Sequence, residues 1–302
     1  PMARARGLAK PQWLSVLQLL LLHEGVWGLL QPWQLKAKRT PRGKKVTWIH
    51  LHNHGGTTIW QQAKHQGEIC PNERQNAFVN LDRCSTPPGS SRVHCRERVN
   101  ASYTFSMIER DIDESDLECE DMLVGIMIRD PVAAMRSTIV HDSFDVQAIL
   151  GTLRTGVDMH SRHAPDAFDP EDLCLPPWDT YQHFDNFMTR SLGDGYTAPP
   201  RGVTRSHLGK AKERLQRMHV VIVLEELQQH ILQLNKTFHW RLGAELRGAK
   251  MPVGNKHEAD ALAAALRPSE IAILRKMNAL DYELYAYARQ LAARRTLAAA
   301  WK

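Results

Sequence analysis

The sequence contains no CxxC pair, no internal repeat, no low-complexity tract and no apolar run long enough to cross a bilayer. Each absence narrows the possibilities. Only five cysteines occur in 302 residues, namely Cys70, Cys84, Cys95, Cys119 and Cys174, and none has zinc-ribbon spacing. No basic motif rich in aromatics accompanies the net charge of +6, so no nucleic-acid partner is expected. The mild positive excess fits either a solvated basic surface or a small anionic ligand. No GxxxxGK followed by Ser or Thr is present, and no magnesium carboxylate is obvious. A nucleoside-triphosphate-dependent kinase or ATPase therefore ranks third among the functional readings.

What is present starts with a basic, then apolar, N-terminus. Arg4, Arg6 and Lys10 precede WLSVLQLLLL, and His23-Glu24 separates that run from VWGLLQPW. Residues 1–35 read as a signal peptide or a short signal anchor, with an amphipathic helix as the alternative. KAKRTPRGKK (36–45) reads as a basic linker, and 46–302 as one folded domain. Cys70, Cys84 and Cys95 fall in CPNERQNAFVNLDRCSTPPGSSRVHC, whose Pro, Ser and Arg content suits a loop stapled by a disulfide. Pairing cannot be deduced from five cysteines. Asn100 and Asn235 head N-glycosylation sequons. Together these features favour the lumen of the secretory pathway, with a membrane contacted only through the N-terminal segment.

Within the domain, VTWIHL (46–51), LVGIMI (123–128) and HVVIVLEEL (219–227) have the β-branched, continuously apolar character of buried strands. Helical patterns follow at 58–67, beyond Pro131, and at 269–295. The expectation is an α/β fold: a doubly wound, mainly parallel sheet flanked by helices, with long irregular loops and short helices around a site over 150–215 and a helical C-terminus.

Two strand ends carry candidate chemistry. After the first comes HNHGGTT, where Gly55 and Gly56 allow positive φ and close approach. Thr57 and Thr58 add hydroxyls where a helix begins, and the amides of that turn suit a phosphate or phosphosulfate. A structural glycine turn is the alternative. After the second strand comes IRDPVAAMRS, with Arg129 placed to pair with a phosphate and Ser137 about two turns into the next helix. Ligands of open α/β sheets bind beyond the carboxyl ends of the strands.

These paired motifs resemble the Golgi-type carbohydrate sulfotransferases, which use 3′-phosphoadenosine 5′-phosphosulfate. WIHLHNHGGTT is similar to that family's HxPKTGGT turn for the 5′-phosphosulfate, and IRDPVAAMRS to its RDPxxRxxS segment for the 3′-phosphate. NFMTRSLGDG (186–195) and LDYELYAYA (280–288) are similar to further family segments, and the order fits from about Val46 to Arg295. The resemblance implies sulfuryl transfer from the nucleotide donor to a carbohydrate hydroxyl in the Golgi lumen, on a P-loop-like fold without a metal. It places donor binding on Asn53, His54, Gly55, Gly56, Thr57, Thr58, Arg129 and Ser137. His52 is the implied catalytic base, an inward-facing strand histidine being the alternative. His94 and Arg190 are further candidates for acceptor or nucleotide contact, although Arg190 reads equally well as half of a structural salt bridge.

Three departures stand out. Asn53 occupies the family's lysine position, His54 the following threonine, and Ala134 a frequent arginine. A catalytically silent nucleotide- or glycan-binding relative is therefore the second reading. The alternation of His50, His52 and His54 also raises a zinc reading, weakened by the lack of an evident carboxylate nearby. Nothing in the loops names the acceptor sugar.

Overall fold

The computed structural model describes residues 44–71, 95–142, 145–155, 180–243 and 266–301. Among them are strands β1 (Lys45–Ile49), β2 (Phe105–Ile108), β3 (Met122–Ile128) and β4 (Val220–Val223). The helices are α1 (Gly56–His65), α2 (Cys95–Asn100), α3 (Pro131–Asp142), α4 (Val146–Thr155), α5 (Phe187–Leu192), α6 (Arg205–Arg217), α7 (Leu227–Thr237), α8 (Pro268–Met277) and α9 (Ala279–Ala300).

The four strands form a wholly parallel sheet in the order β2-β1-β3-β4. A parallel strand next to helices on both faces must be apolar on both sides, and all seven residues of MLVGIMI in β3 are buried. Alternation then sorts the side chains. Ile49, Val124, Ile126, Ile128, Val221 and Val223 pack with Met188 of α5, Leu208 and Leu215 of α6, and Leu284 and Leu291 of α9. Val46, Trp48, Leu123, Met127, Val220 and Ile222 pack on the opposite face with Ile59 of α1 and Leu227, Ile231 and Leu234 of α7. Gly125 faces Trp48 across the register, and a Cβ there would collide with the indole. The missing side chain is what lets a tryptophan lie flat on a central strand.

From β1 the chain crosses to β2 on one side, then returns past β1 to β3 and β4 on the other. This reversal puts a topological switch point between β1 and β3, whose carboxyl ends lie at the same edge. Such a crevice is the ligand-binding position of open parallel sheets.

Several expectations needed adjustment. Three strands were anticipated and four occur among the described residues, because FSMI of β2 is only four residues long and carries too little periodicity. The third anticipated strand stops at Val223. Leu224–Glu226 form a tight 3-10 turn that leads straight into α7. Lys45, assigned to the linker, is the first residue of β1. The expected helical C-terminus comes as two helices meeting at Asn278, whose side chain bonds Phe184 O and Asn186 N. A Cys95–Cys119 disulfide ties α2 to the lead-in of β3. Cys84, Cys174, His94 and residues 1–35 lie outside the described residues. Among the described residues no helix is long and apolar enough to cross a membrane.

Candidate functional site

Beyond β1 the backbone turns tightly, with His54 N bonded to Leu51 O at 3.0 Å. Gly55 then caps α1 at φ 81, a left-handed conformation that favours glycine. A Cβ on Gly55 would sit 2.9 Å from Met127 Sδ, and one on Gly56 would clash with the His50 imidazole. Gly55 is therefore required by φ and by packing, and Gly56 by packing against His50. No side chain caps α1. A helix start in this state directs its first-turn amides and the positive end of its dipole at whatever lies above the sheet edge. Thr57 is exposed there, while Thr58 is buried.

Asn53 joins the two strand ends. It too is left-handed, at φ 60, which asparagine tolerates better than most residues. Its backbone O accepts from Arg129 Nη1 at 2.7 Å, and its Nδ2 donates to Thr138 Oγ1 of α3 at 2.9 Å. Arg129 thus stands at the carboxyl end of β3 beside the β1 turn. Burial draws its pKa below the ordinary guanidinium value, opposed by Glu225 and Asp130, and it stays cationic. Asp130 accepts from Ala133 N at the start of α3, and Glu225 accepts from Asp130 N. Ser137 lies in the second turn of that helix, partly exposed.

The three histidines have separate environments. His50 is 8% exposed, and burial lowers its pKa despite the nearby carboxylate. His54 is buried, donates from Nδ1 to His52 O at 2.6 Å, and is held down to about 3, first by loss of solvation. It is a neutral imidazole at physiological pH and brings no charge to the turn. His52 is the most open of the three, with 21% of its side chain accessible. Its ring lies 5.0 Å from that of His183, which stacks in turn on Phe187 at 4.6 Å. Two small depressions meet at His52. One, of about 220 Å³, also touches Glu109 and Tyr196. The other, of about 250 Å³, touches Thr138, His183 and Asp281.

Glu109 was missed in the sequence. It follows β2, is 8% exposed, and lies with Oε1 3.0 Å from His52 Nδ1 and 3.5 Å from His50 Nδ1. Recognising FSMI as a strand next to β1 would have revealed it, since Ile108 pairs with Ile49 and the residues that follow each strand must meet. The carboxylate judged absent near the histidines is this one. Among the described residues, no three or more His, Cys, Asp or Glu side chains are grouped to hold a metal ion.

Arg190 belongs to a different construction. It is 0% exposed. Nε donates to Asp185 O, Nη1 to Gly195 O and Ala198 O, and Nη2 to Asp185 Oδ2 and Pro199 O. All five guanidinium donors are thereby used within residues 185–199. The structure brings Arg190 to a loop scaffold and not to the strand-end crevice. Asp281 of α9 works similarly: it accepts from Met188 N, Thr189 N and Thr189 Oγ1 at the start of α5, and burial raises its pKa to about 6.

The arrangement offers helix-end amides, hydroxyls and one half-buried arginine at a single crevice, with a carboxylate-bonded imidazole at its side. It can bind an anion and accept a proton. No family model, curated protein or solved structure matches the chain.

Proposed function

We propose that this chain transfers a sulfuryl group from 3′-phosphoadenosine 5′-phosphosulfate to a carbohydrate hydroxyl. The observation that carries the reading is the junction of the two motif-bearing strand ends, where Asn53 bonds both Arg129 and Thr138 at the switch point between β1 and β3. In this reading the α1 amides with Thr57 and Thr58 receive the phosphosulfate, and Arg129 with Ser137 receives the 3′-phosphate. Neither shallow depression encloses room for a nucleotide, so the donor would lie along the open sheet edge.

His52 takes the proton of the acceptor hydroxyl. The acceptor oxygen forms a bond to sulfur as the bond from sulfur to the 5′-phosphate oxygen breaks, and adenosine 3′,5′-bisphosphate leaves. The departing phosphate gathers negative charge, which the helix end and the hydroxyls offset. Mass-spectrometric detection of sulfated product from a panel of mono- and disaccharides tests the reading. Transfer that His52→Ala reduces at least 100-fold supports it; absence of transfer to every sugar despite tight donor binding contradicts it.

One observation favours the second reading, a silent binding protein. Asn53 is uncharged and His54 is held neutral, so neither supplies the cation that a lysine would bring to the leaving phosphate. Measurable wild-type turnover excludes that reading.

The same proposal puts the chain in the secretory lumen. The Cys95–Cys119 disulfide suits an oxidising compartment. Of the two sequons, Asn100 is exposed at the end of α2, whereas the Asn235 amide is bonded to Leu242 through both Nδ2 and Oδ1. Secreted protein is expected to lose one N-glycan in Asn100→Gln and none in Asn235→Gln, read from the mass shift on deglycosylation.

A further inference from the structure

The proposed mechanism leaves a question at its base. An imidazole takes a proton only through a nitrogen that carries a lone pair, and nothing in the β1 segment itself fixes which nitrogen of His52 that is. We propose that Glu109 is the positioning residue of His52: its carboxylate holds the Nδ1 proton, leaves Nε2 to receive the acceptor proton, and stabilises the imidazolium that results. The proposal rests on the reading of His52 as base.

Three observations support it. The first is topological. β2 and β1 are parallel neighbours with Ile108 opposite Ile49, so the residues just past each strand emerge together at the edge that carries the crevice. The second is geometric. Glu109 Oε1 is 3.0 Å from His52 Nδ1, and a carboxylate can only accept there. The third is selective. His50 shares the same oxygen at a longer 3.5 Å, but its ring is buried against Gly56. His54 has its Nδ1 turned to backbone. Of the three, only His52 combines a close carboxylate with a ring bordering both depressions.

The groups around His52 act in different directions. Glu109 from the end of β2 favours its protonated form, whereas His50 and His54 on its own segment and His183 from the 180–184 turn are neighbouring imidazoles. Arg110 adjoins Glu109, but its guanidinium is paired with Asp116 through Nη1 at 2.8 Å and Nη2 at 2.9 Å. Histidines oriented in this way by a carboxylate recur where an imidazole must present one defined nitrogen.

The test has two readouts on the full-length protein. Imidazole nitrogen NMR reports tautomer and proton affinity for wild type and Glu109→Gln. The expected result is Nδ1–H in wild type and a proton affinity at His52 about tenfold lower in Glu109→Gln. An Nε2–H tautomer in wild type, or equal affinities in the two proteins, overturns the proposal. Circular dichroism verifies folding, and Glu109→Asp serves if the amide variant does not fold, with proton affinity again expected above that of wild type's uncharged analogue Glu109→Ala.

The transfer assay supplies the second readout. Glu109→Gln is expected to lower kcat roughly 10- to 100-fold with acceptor KM unchanged, and Glu109→Asp to restore part of it. If Glu109→Gln abolishes transfer while His52→Ala retains it, the carboxylate is itself the base and the assignment is wrong. If no protein transfers sulfuryl groups but the NMR result holds, the sulfotransferase reading fails and the Glu109–His52 pair stands.

Discussion

Arg129 and Arg190 look alike in the sequence, each in a segment that resembles a motif of one family, yet they sit in opposite physical situations. Arg190 is sealed in α5 and the segment after it, with five donors used within 185–199 and Asp185 as its counter-charge. Arg129 stands half-buried at a strand end, bonded to the backbone of Asn53 and faced by Glu225 and Asp130. The first is a scaffold, since any ligand would have to displace the bonds that shape the loop. The second keeps a cation at an edge where backbone amides already point. A motif match gives both residues the same weight; burial and donor accounting separate them.

The largest effect expected from that difference concerns Arg190. Arg190→Met leaves Asp185 buried without its partner and should lower unfolding free energy by roughly 3–5 kcal/mol in urea titration. Protein that remains folded should bind adenosine 3′,5′-bisphosphate as wild type does. Wild-type stability with lost binding would reverse the comparison and return Arg190 to the ligand.

Next in size is a pH effect at the crevice. The folded chain refuses a proton at His54 that the unfolded chain binds below its ordinary value of 6.5. Stability is thus lost as pH falls through the window from 6.5 towards 3, by about 2 kcal/mol between pH 7 and pH 5. Asp281, raised to about 6, acts oppositely. Its stabilisation is present below about pH 4 and lost as pH rises through 6. Asp281 therefore offsets part of that loss between pH 5 and 7, whereas His50, whose pKa burial also lowers, adds to it. His54→Gln should lessen the loss of stability on acidification, measurable in denaturant midpoints; an unchanged slope would remove His54 from the account.

The smallest effect concerns the turn itself. Asn53→Lys loses the bond to Thr138 and places a long side chain at φ 60, so a cost of about 1–2 kcal/mol is expected in thermal unfolding. If the leaving phosphate lacks a cation in wild type, the same variant should transfer sulfuryl groups faster. A slower variant would mean that Asn53, as part of the junction with Arg129, matters more than charge.

How legible the molecule was in its sequence depends on where each signal resides. β1 and β3 announce themselves as apolar runs ending in glycine or proline, and their adjacency follows from the parallel fold. β2 does not, because four residues ahead of Glu109-Arg110 carry too little periodicity. With β2 went Glu109, the carboxylate bonded to His52. Arg190 was ambiguous for another reason: three of its five bonds go to the backbone carbonyls of Gly195, Ala198 and Pro199, which leave no signature in residue type. Asn53 was read as a missing lysine, while its role as the link between two strand ends is visible only once Arg129 and Thr138 are in place. His94 lies outside the described residues.

The central claim is that the β1–β3 crevice binds a nucleotide carrying a 3′-phosphate, with Arg129 as its cation. Calorimetric titration of wild type and Arg129→Ala with adenosine 3′,5′-bisphosphate, beside ADP, tests it most directly. The account predicts selective binding of the bisphosphate, weakened roughly 10- to 100-fold by Arg129→Ala while ADP binding changes little. Equal affinity for the two nucleotides, or a bisphosphate affinity indifferent to Arg129, would contradict it.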